Sequence, residues 1–182
     1  PGPLTLILKK ASHIPAAVAG GQDSIGLRCP SHPVAQALLR AFKDGKGGIA
    51  GPSANRFGHV SPTRAEHVRD EFGDDPRLAA ILEGGQSEVG IESTILDLSR
   101  IETAGPVLLR PGKIHSLQIA EVIGRMPEMP DAAAPRASGT LASHYAPLTP
   151  VVIVPEKDLT SVLKQLEKKN IRVALLHYSS LS

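Results

Sequence analysis

Aromatic side chains are scarce in this chain: three Phe, two Tyr and no Trp among 182 residues. That scarcity excludes sites built from stacked rings, such as aromatic cages or platforms for single-stranded nucleic acid. Cysteine is nearly absent too. A single residue, Cys29, allows neither an internal disulfide nor a multi-cysteine metal site, and it makes an intracellular, cytoplasmic setting the default. Charge of one sign is lacking: 20 Lys and Arg against 18 Asp and Glu leave +2, too little for electrostatic capture of nucleic acid. No apolar run approaches the roughly 20 residues that cross a bilayer, so no membrane partner is expected. The seven histidines show neither metal-ligand spacing nor an HExxH pair. No Gly-x-Ser-x-Gly elbow surrounds Ser53, which makes it a poor hydrolase nucleophile. Pro1-Gly2-Pro3-Leu4 resembles neither a signal peptide nor a translation start, and implies a chain that begins within a longer one.

What is present is an α/β pattern. A hydrophobic fraction of 41% supports a core of ordinary size. Leu4–Leu8, Ile25–Arg28, Gly48–Ala50, Ala79–Leu82, Thr94–Leu98 and Val107–Leu109 read as strands bounded by Gly, Pro or Ser. Val34, Ala37, Leu38 and Ala41 mark a helix face behind Pro33. Thr63-Arg64-Ala65-Glu66 reads as a capping box opening a helix with Ala65, Val68 and Phe72 inward. A third helix is expected over 116–125 around Leu117, Ala120 and Ile123. Residues 127–150 hold five prolines and almost no periodicity, the mark of a linker. Val151–Val154, a helix from Asp158 to about Lys169, and Val173–His177 then read as the opening of a second, parallel α/β unit. The expected division is 1–127, a linker over 128–150, and 151–182.

The most informative stretch is Gly51-Pro52-Ser53-Ala54-Asn55 with Gly58 and Ser61-Pro62-Thr63. Small residues admit a ligand close to the backbone, hydroxyl and amide groups supply uncharged donors, and a helix start beside them favours an anion such as phosphate. A tight turn whose Ser and Asn bond their own backbone is the alternative. Arg28 and Arg110 each end a strand, where guanidinium groups suit bidentate capture of carboxylate or phosphate. Surface or ion-paired arginines are the alternative for each alone; two strand ends facing one cleft change the balance. Gly84-Gly85 to Val89-Gly90-Ile91-Glu92-Ser93-Thr94 is a second glycine-rich loop, in which Ser93 and Thr94 can line a pocket. Glu88 and Glu92 are candidate bases there, but with no His or Asp placed to support them they read as ordinary loop carboxylates, and Cys29 as a partly buried, inert thiol. The residues describe an anion-binding α/β protein without an evident covalent nucleophile, suited to nucleotidyl or phosphoryl transfer by positioning.

Taken in order, Pro1-Gly2-Pro3-Leu4-Thr5, the Arg28–Pro33 turn, Gly51-Pro52-Ser53-Ala54-Asn55 with Ser61-Pro62-Thr63, Gly90-Ile91-Glu92-Ser93-Thr94, Leu109-Arg110-Pro111-Gly112 and His144-Tyr145-Ala146-Pro147 closely resemble the threonylcarbamoyl-AMP synthase family. These are the two-domain YrdC-like proteins. The resemblance implies a twisted, mixed-sheet YrdC-like domain, a linker and the start of a smaller Rossmann-like domain. It implies synthesis of threonylcarbamoyl-adenylate from L-threonine, bicarbonate and ATP with release of pyrophosphate, magnesium accompanying the nucleotide. The product would pass to proteins that transfer threonylcarbamoyl to tRNA. By position, Arg28 would hold the threonine carboxylate, with Gly51 and Ser93 lining that pocket. Ser24, Ser53, Asn55, Ser61 and Arg110 would form the ATP cluster, joined by Ala137 through its backbone where the family often has serine. The family's Thr-x-Thr-x-Tyr-Gly and Lys-x-Arg-Pro motifs are missing from this chain, which implies a fragment. Two rivals accompany this reading: a double-stranded RNA-binding module and a YrdC-like domain serving a carbamoyltransferase. The segment 128–150, with Ser138-Gly139-Thr140 and His144-Tyr145, is expected to act as a lid over the cleft, against the alternative of a docked tether.

Overall fold

The computed structural model of the chain describes residues 1–139, 146–147 and 149–177. Four strands pair into one mixed sheet: β1 (Leu4–Lys9), β2 (Ser24–Leu27), β3 (Thr94–Asp97) and β4 (Val107–Arg110), in the order β2-β1-β3-β4. β1 runs antiparallel to β2 and parallel to β3, and β3 antiparallel to β4. The α/β reading therefore holds, and these four strands fall within a residue or two of their expected bounds.

Register decides what lies on each face. Thr5 pairs with Ile95 and Ile7 with Asp97, so all four share one face, and Val107 joins them opposite Asp97. Ile7, Ile95, Val107 and Leu109 form the buried core cluster, with Ala104, Ala134 and Ala137 packed on it. Gly26 lies opposite Ile7 in the ladder, and an added Cβ there would meet the Ile7 Cδ1 at 3.2 Å. The missing side chain thus gives Ile7 its room.

The described residues also form five α-helices: α1 (Pro33–Ala41), α2 (Ala65–Phe72), the single turn α3 (Ile101–Ala104), α4 (Ser116–Ile123) and, in the second part of the chain, α5 (Glu156–Lys168). Pro33 opens α1 as expected, and the preceding His32 caps it, its Nδ1 accepting from the Val34 N–H at 3.3 Å. The apolar stripe of α1 does not enter the core, however. None of its residues is buried, and Leu38 is exposed. α2 turns Ala65 inward, with Val68 and Phe72 half-buried. Its capping box does not form, because the helix starts one residue late with Arg64 as N-cap. The Thr63 N–H donates instead to the His67 Nδ1, and Glu66 pairs with Arg64. In α4 the buried residue is Ile119 rather than Leu117 or Ile123, so the inward face is turned from the expected one.

Gly48–Ala50 and Ala79–Leu82 are not strands. Neither joins a ladder among the described residues, and Ile49 and Leu82 are exposed. The same holds for Val151–Val154 and for 173–177: a β pattern becomes a strand only when a neighbour accepts its hydrogen bonds. The chain divides into two compact units, Pro1–Ala146 and Pro147–Ser182. The second contains α5, closed at its C-terminus by Asn170 at φ 53° and by the Ile171 N–H donating to the Leu166 carbonyl. Among the described residues no helix is long and apolar enough to cross a membrane.

Candidate functional site at one end of the sheet

The topology gathers four chain segments at a single sheet end. Leu4 pairs with Thr94, so the starts of β1 and β3 lie together. β2 and β4 run the opposite way, which brings their ends, Leu27 and Arg110, to the same edge. Backbone bonds extend the arrangement: Gly2 N–H donates to the Cys29 carbonyl, and Thr94 N–H to that of Pro3. Arg28 and Arg110 consequently flank one edge from the two outer strands. Three interstrand spacings separate those strands, about 14 Å.

Arg110 is the most constrained of the candidates. Its side chain is only 9% exposed. Nε and Nη2 donate to the Ser93 carbonyl at 3.1 and 2.8 Å, and Nη2 also reaches the Ser93 Oγ at 3.1 Å. Nη1 donates to the Ser138 carbonyl at 2.9 Å. A Glu92 oxygen completes the set as an ion pair at 3.3 Å. Ser93 is buried and shares a further hydrogen bond with the Thr5 hydroxyl. Next to it, the fully buried Thr94 hydroxyl donates to the Ile114 carbonyl and accepts from the Ile114 N–H, which pins the turn after β4 to the start of β3. Gly112 lies in this turn, where a Cβ would come within 2.4 Å of the Thr94 nitrogen and 2.6 Å of the Glu92 carbonyl oxygen. Only glycine fits against that backbone.

The 51–63 loop reaches the same cluster through one residue. Ser61 Oγ donates to a Glu92 carboxylate oxygen at 2.8 Å and lies 3.3 Å from the Asn55 side-chain oxygen. Asn55 turns its amide group inward to the Arg56 and His59 carbonyls, the local turn chemistry open to a loop asparagine. Glu71 of α2 holds the loop from behind, accepting from the Arg56 N–H and bonded to the His59 Nδ1, each at 2.8 Å. The Arg56 N–H, followed by His59, keeps the Glu71 carboxyl below its ordinary range.

The Pro-rich segment packs on the sheet as far as it is described. Glu128 bonds alongside β4, exchanging backbone hydrogen bonds with Leu108 and Pro106. Asp131 takes a bidentate contact from Arg100, which also lies 3.5 Å from the buried Asp97 carboxylate. Ala134 and Ala137 then lie on the core cluster, and Arg136 exchanges backbone bonds with the Gln22 side chain ahead of β2. His144 and Tyr145 lie outside the described residues.

The expected site residues therefore fall into two sets. Asn55, Ser61, Ser93 and Arg110 form one hydrogen-bonded cluster, with Ser138, next to Ala137, bonded to it. Arg28, Gly51 and Ser53 are exposed and touch that cluster through no hydrogen bond or ion pair among the described residues; Ser24 opens β2, half-buried. Sequence reasoning read Glu92 as an ordinary loop carboxylate, whereas among the described residues it is the one that links the loop to Arg110. Its position next to Ser93 was the available signal. Cys29 is exposed rather than partly buried, since it follows the edge strand β2. No group of three or more His, Cys, Asp or Glu suited to a metal occurs among the described residues.

Residues 1–112 match the Sua5–YciO–YrdC family model, which carries the description "Telomere recombination". Residues 114–182 match the model of the C-terminal domain of threonylcarbamoyl-AMP synthase. Among curated proteins, the threonylcarbamoyl-AMP synthase of Pyrococcus abyssi is 38% identical over 161 residues, 85% of this chain and 44% of the relative. That of Bacillus subtilis is 38% identical over 186 residues, 97% of this chain and 51% of the relative. The crystal structure of P. abyssi Sua5 complexed with L-threonine is similar with a TM-score of 0.71 at 34% identity, over 93% of this chain and 50% of that one. The chain spans about half the length of the curated relatives it matches.

Proposed function

The chain belongs to the Sua5–YciO–YrdC family, and on that premise we propose that it carries the nucleotide- and threonine-binding face of a threonylcarbamoyl-AMP synthase. The observation that carries this reading is the convergence of Arg28, Ser93 and Arg110, with Ser61 joined to them through Glu92, at one end of the sheet. Ligands of open α/β sheets bind outside the carboxyl ends of strands, and β2 and β4 present theirs here. The L-threonine complex of the P. abyssi relative supports the amino-acid half.

In this proposal L-threonine and bicarbonate condense to a carbamate with loss of water. A carbamate oxygen then attacks the α-phosphorus of ATP, and the bond to the β-phosphate oxygen breaks, releasing pyrophosphate. Arg28 holds the threonine carboxylate in a charge-assisted contact, with Gly51 and Ser93 beside it. Ser61 and Arg110 stabilise phosphate charge, with Ser24, Ser53, Asn55 and the Ala137 backbone around them. Chemistry by positioning needs no covalent nucleophile. Magnesium enters as the nucleotide's own counter-ion: the one carboxylate in the cluster, Glu92, is already paired with Arg110, so the described residues offer no cage for it. The adenylate product passes to tRNA-modifying proteins, in a cytoplasmic setting. Residues 128–150 serve as the linker and 151–182 as the start of a Rossmann-like domain.

The test is pyrophosphate release by the full-length protein. Release that requires L-threonine and bicarbonate together with ATP is the expected result. Release indifferent to threonine overturns the reading.

A further inference from the structure

Two donors that the proposed function gives to ATP phosphate are already engaged by one carboxylate. Ser61 Oγ donates to one oxygen of Glu92 at 2.8 Å, and Arg110 Nη2 stands 3.3 Å from the other. The Glu92 side chain is 30% exposed, against 9% for Arg110. A carboxylate and a phosphate present the same chemistry to such donors: two anionic oxygens a little over 2 Å apart. We propose that Glu92 is a displaceable counter-ion, a stand-in for the nucleotide phosphate that occupies Ser61 and Arg110 until a nucleoside triphosphate takes its place.

The proposal rests on the reading of Ser61 and Arg110 as nucleotide contacts, and three features support it. First, Arg110 is nearly buried, and a buried guanidinium without a counter-charge is costly. Its other partners among the described residues are neutral oxygens of Ser93 and Ser138, so Glu92 is the one charge paired with it there. Second, the exchange needs no movement of the guanidinium. Nε and Nη2 keep their bonds to the Ser93 carbonyl while Nη2 trades a carboxylate oxygen for a phosphate oxygen. Third, Glu92 has somewhere to go: its side chain is more exposed than that of Arg110, and once displaced it turns toward water. A carboxylate left beside the incoming phosphate would repel it. Glu92 therefore lowers nucleotide affinity while keeping Arg110 in its working orientation, and so acts as a positioning residue with an affinity cost.

The test is binding of the α,β-methylene analogue of ATP to the full-length protein, with magnesium, by calorimetry. Wild type, Glu92→Gln and Arg110→Ala are compared at a temperature where each is folded. Glu92→Gln retains the shape and the acceptor for Ser61 but loses the charge. It is expected to tighten binding about three- to tenfold, a gain that a merely structural residue does not give. Arg110→Ala is expected to weaken binding at least about tenfold. Weaker binding in Arg110→Ala with unchanged or weaker binding in Glu92→Gln overturns the counter-ion proposal and leaves the nucleotide reading standing; the weaker case would make Glu92 a ligand of the nucleotide's magnesium. Unchanged binding in Arg110→Ala overturns the nucleotide reading itself. Should Glu92→Gln fail to fold, Glu92→Ala takes its place with the same expected sign.

Discussion

The two arginines at the sheet end could hardly differ more. Arg110 is nearly buried and satisfied by Ser93, Ser138 and Glu92, whereas Arg28 follows an edge strand and is exposed. One half of the proposed site is therefore built into the fold, and the other is held only by the backbone that carries it. Preorganised donors cost little to use at the moment of reaction, while an exposed arginine must be ordered by its ligand. The difference predicts that damage to the Arg110 side will register as lost stability, and damage to the Arg28 side as lost binding.

The largest effect on stability is expected from Arg110→Ala. It strands the Ser93 and Ser138 carbonyls and leaves Glu92 without its counter-charge, at a cost of about 2–4 kcal/mol. Denaturant unfolding measures it, and a loss below about 1 kcal/mol would dissolve the contrast with Arg28. Gly112→Ala comes next. Its Cβ must push apart the Thr94 and Glu92 backbone, an overpacking cost of about 1–3 kcal/mol, with no phosphate ligand removed. A melting temperature equal to wild type would show that the turn after β4 yields more easily than its contacts imply.

Acidification should have a smaller, local effect on the loop between the two arginines. The folded Glu71 carboxyl titrates below its ordinary value of 4.5, so its contribution is full above that value and is lost as pH falls through the folded one. Amide protection over residues 55–61, taken relative to the free chain at the same pH, should therefore fall on acidification below 4.5, and Glu71→Gln should leave it low at every pH. Protection in wild type that ignores pH would separate this loop from Glu71. The smallest change in stability is expected from Arg28→Ala, within about 0.5 kcal/mol. The same substitution should weaken threonine binding roughly 10- to 150-fold, as loss of the proposed bidentate contact requires. Unaltered threonine affinity would remove Arg28 from the site.

Local pattern was a good guide wherever the chain carries its own reason for a shape. The four paired strands and the Pro33 start of α1 could be read from short-range chemistry, and so could the two arginines at strand ends. Patterns that need a distant partner fared worse. Gly48–Ala50, Ala79–Leu82 and Val151–Val154 have β composition but no ladder among the described residues, and the stripe of α1 buries none of its residues. The Thr63 capping box failed by a single residue of helix start, a scale at which backbone context outweighs side-chain preference.

By itself, the sequence determined the α/β class and the order of its small-residue loops, because periodicity, turn residues and motif order are local properties of the chain. Tertiary structure alone decided which of those loops meet. The parallel pairing of β1 with β3, between two antiparallel neighbours, turns Arg28 and Arg110 to the same edge. Burial of Arg110 then demands a counter-charge, and Glu92, 18 residues away along the chain, supplies it from the loop entering β3. No spacing rule encodes such a pair. It exists because β3 and β4 are antiparallel neighbours and a guanidinium cannot be buried alone.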